Sequence, residues 1–126
     1  MMYTKGFQQY KEQSIDTMTQ AELLLTLYDE LVKRLTRAEI ALEKKDYAVM
    51  EASVDRSNEI INYLRGTLNR SYEISTNLWK LYEFFGYELA RVKAGRNATE
   101  LQRVKTMVCE LRDAFRTAAA NNASGK

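Results

Sequence analysis

Residues 19–46 read TQAELLLTLYDELVKRLTRAEIALEKKD, and this stretch decides the fold. It opens with Thr19-Gln20-Ala21-Glu22, a capping box in which a hydroxyl and a carboxylate bind the amides left open at a helix start. Apolar side chains then recur at three- and four-residue steps along one stripe: Leu24, Leu27, Tyr28, Leu31, Leu35, Ala38 and Leu42. Two lysines then suit the negative end of this helix, and Asp46 suits the start of the next. The stretch therefore predicts one long helix followed by a tight connection.

Three further segments have the same helical character. The second carries the steps of a helix that packs against a nearly antiparallel neighbour: Tyr47, Met50, Val54, Ser57, Ile61, Leu64 and Leu68. The third starts near Ser75, and we expect it to end at Ala94-Gly95, because glycine most easily adopts the left-handed exit of a helix. The fourth starts around Asn97 and carries Leu101, Val104, Val108, Leu111 and Phe115.

The composition favours helices throughout. The 126 residues include no proline and only five glycines, so the residues that punctuate sandwiches and barrels are scarce. Short connections make successive helices lie antiparallel. We therefore predict an all-α protein, an antiparallel up-down-up-down four-helix bundle over residues 18–120. Residues 1–17 are predicted to form a flexible N-terminal arm, and residues 121–126 a disordered C-terminal tail.

The residues that carry most enzyme chemistry are missing. Histidine, the commonest general base and a frequent metal ligand, is absent. Glu39 and Glu43 share a helix face, but they lie off the core stripe beside basic residues, which indicates a solvated row of charges. The sequence has no glycine-rich phosphate loop. We predict that the protein is not an enzyme and has no catalytic, metal-binding or cofactor-binding residues.

The charge pattern gives no sign of nucleic acid or membrane as a partner. The net charge is +2, and basic groups such as Lys33-Arg34-Arg37 alternate with acids, as on a solvated helix surface. No apolar run approaches the roughly 20 residues of a membrane span, and the first residues lack the apolar core of a signal peptide. The single cysteine, Cys109, agrees with a reducing compartment. We predict a cytoplasmic protein without membrane insertion or nucleic-acid binding.

Residues 77–89, NLWKLYEFFGYEL, hold more aromatic side chains than a core stripe requires. At about 100° per residue, that stripe is filled by Leu78, Leu81, Tyr82, Phe85, Leu89 and Val92. Trp79, Phe84 and Tyr87 fall outside it, with Gly86 on nearly the same line as Trp79. Adjacent large apolar groups on a surface are typical of a contact site, so we predict a partner-binding surface here. Tyr82 either joins this surface or lies wholly in the core, and scattered exposed aromatics at a broad bundle edge are the alternative.

The N-terminal arm also carries apolar side chains without a helical period: Tyr3, Phe7, Tyr10, Ile15 and Met18. Burying about three of them would gain roughly 5 to 9 kcal/mol, whereas ordering about ten residues costs roughly 10 to 20 kcal/mol. Docking of the arm would therefore be marginal. We expect the arm to cover part of the bundle's apolar surface and to yield it to a better ligand, with plain terminal disorder as the alternative.

Several segments together resemble one family over nearly the whole chain. Residues 19–29, TQAELLLTLYD, are similar to the start of the first helix in the flagellar secretion chaperones called FliS, and residues 10–15 lie where that family has a tyrosine-bearing leader. EKKDY at 43–47 resembles the family's first turn. IINYL at 60–64, NLWKLYEF at 77–84 and LRDAF at 111–115 resemble its second, third and fourth helix signatures, in the expected order.

The resemblance implies an ATP-independent chaperone that holds flagellin before export. Its partner would be the C-terminal segment of flagellin, unfolded in the cytoplasm and wrapped round the bundle, and the flagellar export gate is a further candidate partner. The predicted contact residues are Tyr10 and Ile15 in the arm, Tyr28 on the first helix, and Trp79, Tyr82, Phe84 and Gly86 on the third. The chain itself would be a monomer or weak dimer. The alternative is a helical bundle that self-associates through its aromatic surface as a scaffold or regulator.

Overall fold

The structure, a computed structural model, describes residues 18–124. These residues form four α-helices: α1 Gln20–Glu43, α2 Tyr47–Gly66, α3 Ile74–Gly95 and α4 Ala98–Ser124. Helix α1 packs against α2 and α4, and α3 packs against the same two helices, so the four form a ring with α1 diagonal to α3. The predicted all-α four-helix bundle is confirmed. The predicted arm, residues 1–17, lies outside the described residues.

The starts of α1 and α2 are both fixed by local hydrogen bonds. The Thr19 hydroxyl accepts a hydrogen bond from the Glu22 amide at 3.1 Å, and the Glu22 carboxylate accepts one from the Thr19 amide, also at 3.1 Å. Asp46 caps α2 by accepting from the Val49 amide at 3.3 Å. Between the helices, Lys45 adopts a left-handed backbone conformation with φ 61°. The capping box and the aspartate cap predicted from the sequence are confirmed.

Helix α3 ends at Gly95, as predicted, but a different residue takes the left-handed exit. Gly95 remains within the helix, and Arg96 takes the left-handed exit with φ 56°. Its amide donates to the Val92 carbonyl at 2.7 Å, and its guanidinium carbon lies 3.6 Å from the centroid of the Tyr47 ring on α2. A left-handed conformation costs a side chain roughly 1–2 kcal/mol, which this cation–π contact offsets. The expectation of a glycine exit was therefore wrong because it ignored a tertiary contact.

The core sits where the four predicted stripes meet. Its fully buried apolar residues include Tyr28, Leu31, Leu35 and Ala38 of α1, Met50, Val54, Ile61 and Leu64 of α2, Tyr82, Phe85, Leu89 and Val92 of α3, and Leu101, Val104 and Val108 of α4. The outermost members of the stripes, such as Leu24 and Phe115, are half-buried. The sequence missed the buried polar residues Ser53, Ser75 and Glu88, because their residue types do not mark a core position.

The last helix is longer than expected. It continues to Ser124, although the sequence assigned the residues from 121 onward to a tail. Three successive alanines, Ala118 to Ala120, have the highest helix propensity of all residue types and extend the helix beyond its last core contact. None of the described helices is both long enough and apolar enough to cross a membrane.

Candidate partner-binding surface

Trp79 is half-buried on the side of α3 that faces α2. Its ring lies between two cations: the guanidinium carbons of Arg65 on α2 and Arg70 in the α2–α3 connection are 5.6 and 5.7 Å from the ring centroid. Such contacts are attractive, because the face of an aromatic ring carries negative charge. They stabilise the position of the indole at the α2-facing edge of α3.

Phe84 lies on the opposite edge of α3. Five residues separate it from Trp79, which corresponds to about 140° around the helix. The Phe84 ring is half-buried, with its centroid 6.2 Å from that of Phe85. Two turns further along the same edge, Arg91 binds Glu100 of α4 at 2.9 Å, so this edge faces α4. The sequence pattern predicted one surface that includes Trp79 and Phe84, whereas the structure places them on opposite edges of α3.

Tyr87 connects these two edges across the solvent-facing side of α3. Its side chain is 64% exposed, and the guanidinium of Arg91 lies 6.0 Å from its ring centroid. We refer to the band formed by Trp79, Tyr87 and Phe84 as the aromatic band of α3. Of its three rings, Tyr87 is exposed, Trp79 is half-buried beside α2, and Phe84 is half-buried with part of its side chain packed against the core.

Gly86 lies two turns after Trp79 on the edge that faces α2. A Cβ atom added at this position would meet only the side-chain oxygen of Asn58 on α2, at 4.0 Å, which is ordinary van der Waals contact. One heptad further along, Lys93 binds Asp55 of α2 at 2.9 Å. The glycine is therefore not required by close packing of α2 on α3, and it leaves the α2-facing edge of α3 without a side chain two turns beyond Trp79.

Tyr28 and Tyr82 do not belong to the accessible surface. Tyr28 is 0% and Tyr82 is 2% exposed, and their hydroxyls share a hydrogen bond across the middle of the bundle. Burial is the main cause that raises the pKa of both hydroxyls above the usual value for tyrosine. The Tyr28 ring also contacts that of Phe115, with 5.5 Å between the centroids. The prediction that Tyr28 contacts a partner is thus corrected, because the residue fills the core, and of the two alternatives for Tyr82 the structure shows the core.

Three exposed apolar side chains near the α2–α3 connection were missed as surface candidates. Tyr72 and Ile74 are each at least 60% exposed, and Tyr63, near the end of α2, is 44% exposed. They lie at the same end of the bundle as Trp79. The sequence did contain a signal for these three residues. They lie in or beside the α2–α3 connection, and the core stripes of both helices are complete without them. Tyr10 and Ile15, the arm residues predicted to bind the partner, lie outside the described residues.

The contact between α3 and α4 includes two buried carboxylates. Arg91 lies 3.6 Å from Glu88 on its own helix and 2.9 Å from Glu100 on α4. Each glutamate keeps its Oε2 atom without a hydrogen-bond partner within residues 18–124. Two carboxyl groups thus share one guanidinium beneath the edge of the aromatic band. The α3–α4 contact therefore leaves buried polar atoms without hydrogen bonds, unlike the apolar contact between α1 and α2 in the described part of the chain.

The side chains considered for catalysis or metal binding occupy structural positions. Glu39 is bound to Lys105 of α4 at 2.8 Å, and Cys109 is a half-buried free thiol. Over the described part of the chain, no group of three His, Cys, Asp or Glu side chains is placed to hold a metal ion. The arrangement presents aromatic surface for binding and offers no converging set of reactive groups.

Comparison with known proteins identifies one group consistently. The family model described as "Flagellar protein FliS" matches residues 3–122. The protein "Flagellar secretion chaperone FliS" of Bacillus subtilis (strain 168) is 29% identical over 109 residues, which are 86% of this chain and 82% of the relative. A solved structure described as "Crystal structure of flagellar chaperone from bacteria" matches with a TM-score of 0.77 at 18% identity, covering 94% of this chain and 98% of the other. At that level of identity, the structural match shows the fold.

Proposed function

The chain belongs to the FliS family of flagellar secretion chaperones, and on this premise we propose that it binds the unfolded C-terminal segment of flagellin in the cytoplasm. Binding would bury the amphipathic end through which flagellin subunits polymerise, so the subunit stays monomeric until it is handed to the flagellar export apparatus. This mechanism depends on occupancy of a surface. It requires neither ATP nor a catalytic residue.

The observation that carries the proposal is the aromatic band of α3. The fully buried core is filled by other side chains, including Phe85 and Leu89 of the same helix, whereas Tyr87 is exposed, Trp79 is half-buried and Phe84 is half-buried against the edge of the core. Large aromatic side chains dominate the binding energy of protein contacts. Their presence outside a completed core therefore supports a role in binding another chain.

The distribution of this surface favours a long, flexible client over a compact one. Trp79 faces α2, Phe84 faces α4, and Tyr72 and Ile74 add exposed apolar surface at the end of the bundle. A folded partner with one flat face would not reach all of these positions. An unfolded segment can wrap from one to the next, and it loses conformational entropy in doing so. That loss moderates the affinity, which suits a client that must later be released.

Tyr10 and Ile15 of the N-terminal arm would be further contacts with the client or its competitors for the bundle surface. Gly86 would contribute by leaving room for the client on the α2-facing edge of α3, two turns beyond Trp79. We exclude Tyr28 and Tyr82 from direct contact, because their hydroxyls bind each other inside the core.

Calorimetric titration with the C-terminal segment of flagellin tests the proposal. Trp79→Ala should weaken binding by at least about 1 kcal/mol, because it removes a large ring from the surface. The helical content should stay nearly unchanged, since the ring is only half-buried. Ile40→Ala is the matched control: Ile40 is 49% exposed on α1, diagonal to α3, and its truncation should leave the affinity unchanged.

Equal affinity of the Trp79→Ala variant and the unmodified protein would remove the aromatic band from the binding site. Sedimentation of the protein alone provides a second check on the same surface. A tight dimer that Trp79→Ala dissociates would favour self-association through the aromatic band over client binding.

A further inference from the structure

A long groove follows the outside of the bundle between α1 and α2. Its widest part has a volume of about 740 Å³ and contains the half-buried side chains of Leu27 and Ile60. It continues in one direction to Val49 on α2 and in the other to Leu23 and Tyr63. The lining begins at residue 20 and reaches residue 37 of α1, so the groove is about 26 Å long at 1.5 Å per residue.

The rim of this groove carries an excess of positive charge. Four cations, Lys33, Arg34, Arg37 and Arg56, and one carboxylate, Glu30, give the widest part a formal charge of +3, against +2 for the whole chain. Arg34 binds Glu30 at 2.8 Å, and Arg56 binds an acid on its own helix. Lys33 and Arg37 are exposed, and neither forms an ion pair with any residue from 18 to 124.

We propose that this groove binds an amphipathic helix of a second protein, with an aliphatic face and a row of Asp or Glu side chains along its flank. The aliphatic face would lie on Leu27 and Ile60, and the acidic row would pair with Lys33 and Arg37. A groove about 26 Å long accommodates about 17 helical residues. Opposite charges on the two partners would steer their encounter and select against basic helices.

This helix would not compete with the client for the aromatic band of α3. The groove is formed by α1 and α2, whereas Tyr87 and Phe84 face solvent and α4 from the other side of the ring of helices. None of the three residues that define the aromatic band lines the groove, whereas Tyr63, one of the exposed apolar residues near the α2–α3 connection, lies at one end of it. The inference therefore does not depend on the identity of the client.

Two other occupants fit the groove less well. Nucleic acid would pair with the cations but gains nothing from an aliphatic floor. The chain's own N-terminal arm, residues 1–17, contains Lys5, Lys11, Glu12 and Asp16 as its charged side chains. Their charges balance, so the arm lacks the negative excess that the groove selects.

Fluorescence anisotropy with a labelled synthetic peptide tests the proposal. The probe is a helix-forming peptide of about 17 residues with leucines on one face and glutamates along the flank. A permuted peptide of the same composition but without an apolar face is the first control, and a single-stranded oligonucleotide is the second. We expect the amphipathic peptide to bind at least about 10-fold more tightly than either, and to bind more weakly as salt is added.

A charge-reversal variant locates the binding site. Lys33→Glu combined with Arg37→Glu should weaken peptide binding at least about 10-fold, because it removes both unpaired cations of the rim. Lys80→Glu combined with Arg103→Glu makes the same charge change at exposed positions of α3 and α4 and should leave binding nearly unchanged. Ile60→Ala should weaken binding without changing the salt dependence.

Equal binding of the two peptides, or equal loss of binding in both charge-reversal variants, would overturn the proposal. Tighter binding of the oligonucleotide would assign the rim to nucleic acid instead. Sedimentation of the protein alone decides the remaining case: a dimer that only Lys33→Glu/Arg37→Glu dissociates would mean that the groove serves a second copy of this chain.

Discussion

The hydrogen bond between Tyr28 and Tyr82 allows a quantitative test of the core. The two hydroxyls lie in the interior of the bundle, and each finds its partner in the other. They connect α1 with α3, the two helices on a diagonal of the ring. Tyr28→Phe and Tyr82→Phe, made singly and together, remove this bond while keeping both aromatic rings.

The cost of each variant follows from what remains buried. Each single variant leaves one hydroxyl in the core without a partner, which should lower the free energy of unfolding by about 1–3 kcal/mol. The double variant removes both hydroxyls, so no polar group is stranded and the loss should be less than about 1 kcal/mol. The double-mutant cycle should therefore be strongly non-additive, because the second substitution recovers much of what the first one costs.

Urea unfolding followed by circular dichroism measures this cycle. Tyr87→Phe serves as a control, because Tyr87 is exposed and the change should stay within about 0.5 kcal/mol. If the losses of the two single variants simply add in the double variant, the hydroxyls are not bound to each other. That outcome would refute the assignment of Tyr28 and Tyr82 to one buried pair.

Three further predictions concern stability. Burial raises the pKa of Tyr28 and Tyr82 above the ordinary value of 10.0. Their contribution to the free energy of unfolding is therefore fully present below that pH and is lost as the pH rises above it, because the tyrosines of the unfolded chain release their protons first. Urea unfolding between about pH 9 and pH 11 should show this loss of stability, and the double phenylalanine variant should show less of it. Thr19→Ala removes the capping box and should lower the free energy of unfolding by about 1 kcal/mol, and an unchanged urea midpoint would contradict a role for that cap. Gly86→Ala should raise the free energy of unfolding by about 0.5–1 kcal/mol, and with it the thermal midpoint, because alanine favours the helix and its methyl group meets only ordinary van der Waals contact. A lower midpoint would reveal a close approach of α2.

The parts of the fold that depend on local interactions could be predicted from the sequence. The capping box at Thr19 and the cap at Asp46 each involve residues only three apart. The core stripes follow from helical periodicity, which is a property of each segment alone. Short connections then restrict the order in which the helices can pack. These features were sufficient for the bundle as a whole.

The features that depend on distant residues could not be predicted in this way. The exit of α3 at Arg96 is stabilised by Tyr47, a residue on another helix. Periodicity placed Tyr28 on the inner face of α1, but it could not reveal that a second buried hydroxyl would satisfy it. Helical periodicity placed Trp79, Phe84 and Tyr87 outside the core stripe of α3, and the structure leaves Tyr87 exposed and the other two half-buried. Their separation into one edge facing α2 and another facing α4 required the positions of the neighbouring helices.

Titration calorimetry with flagellin tests the central claim most directly. The unmodified protein is titrated with flagellin from the same organism, first intact and then lacking its C-terminal segment. The account predicts a stable complex with intact flagellin, and no measurable heat of binding when the C-terminal segment is missing. Binding of the truncated flagellin with undiminished affinity, or no binding of either form, would contradict it.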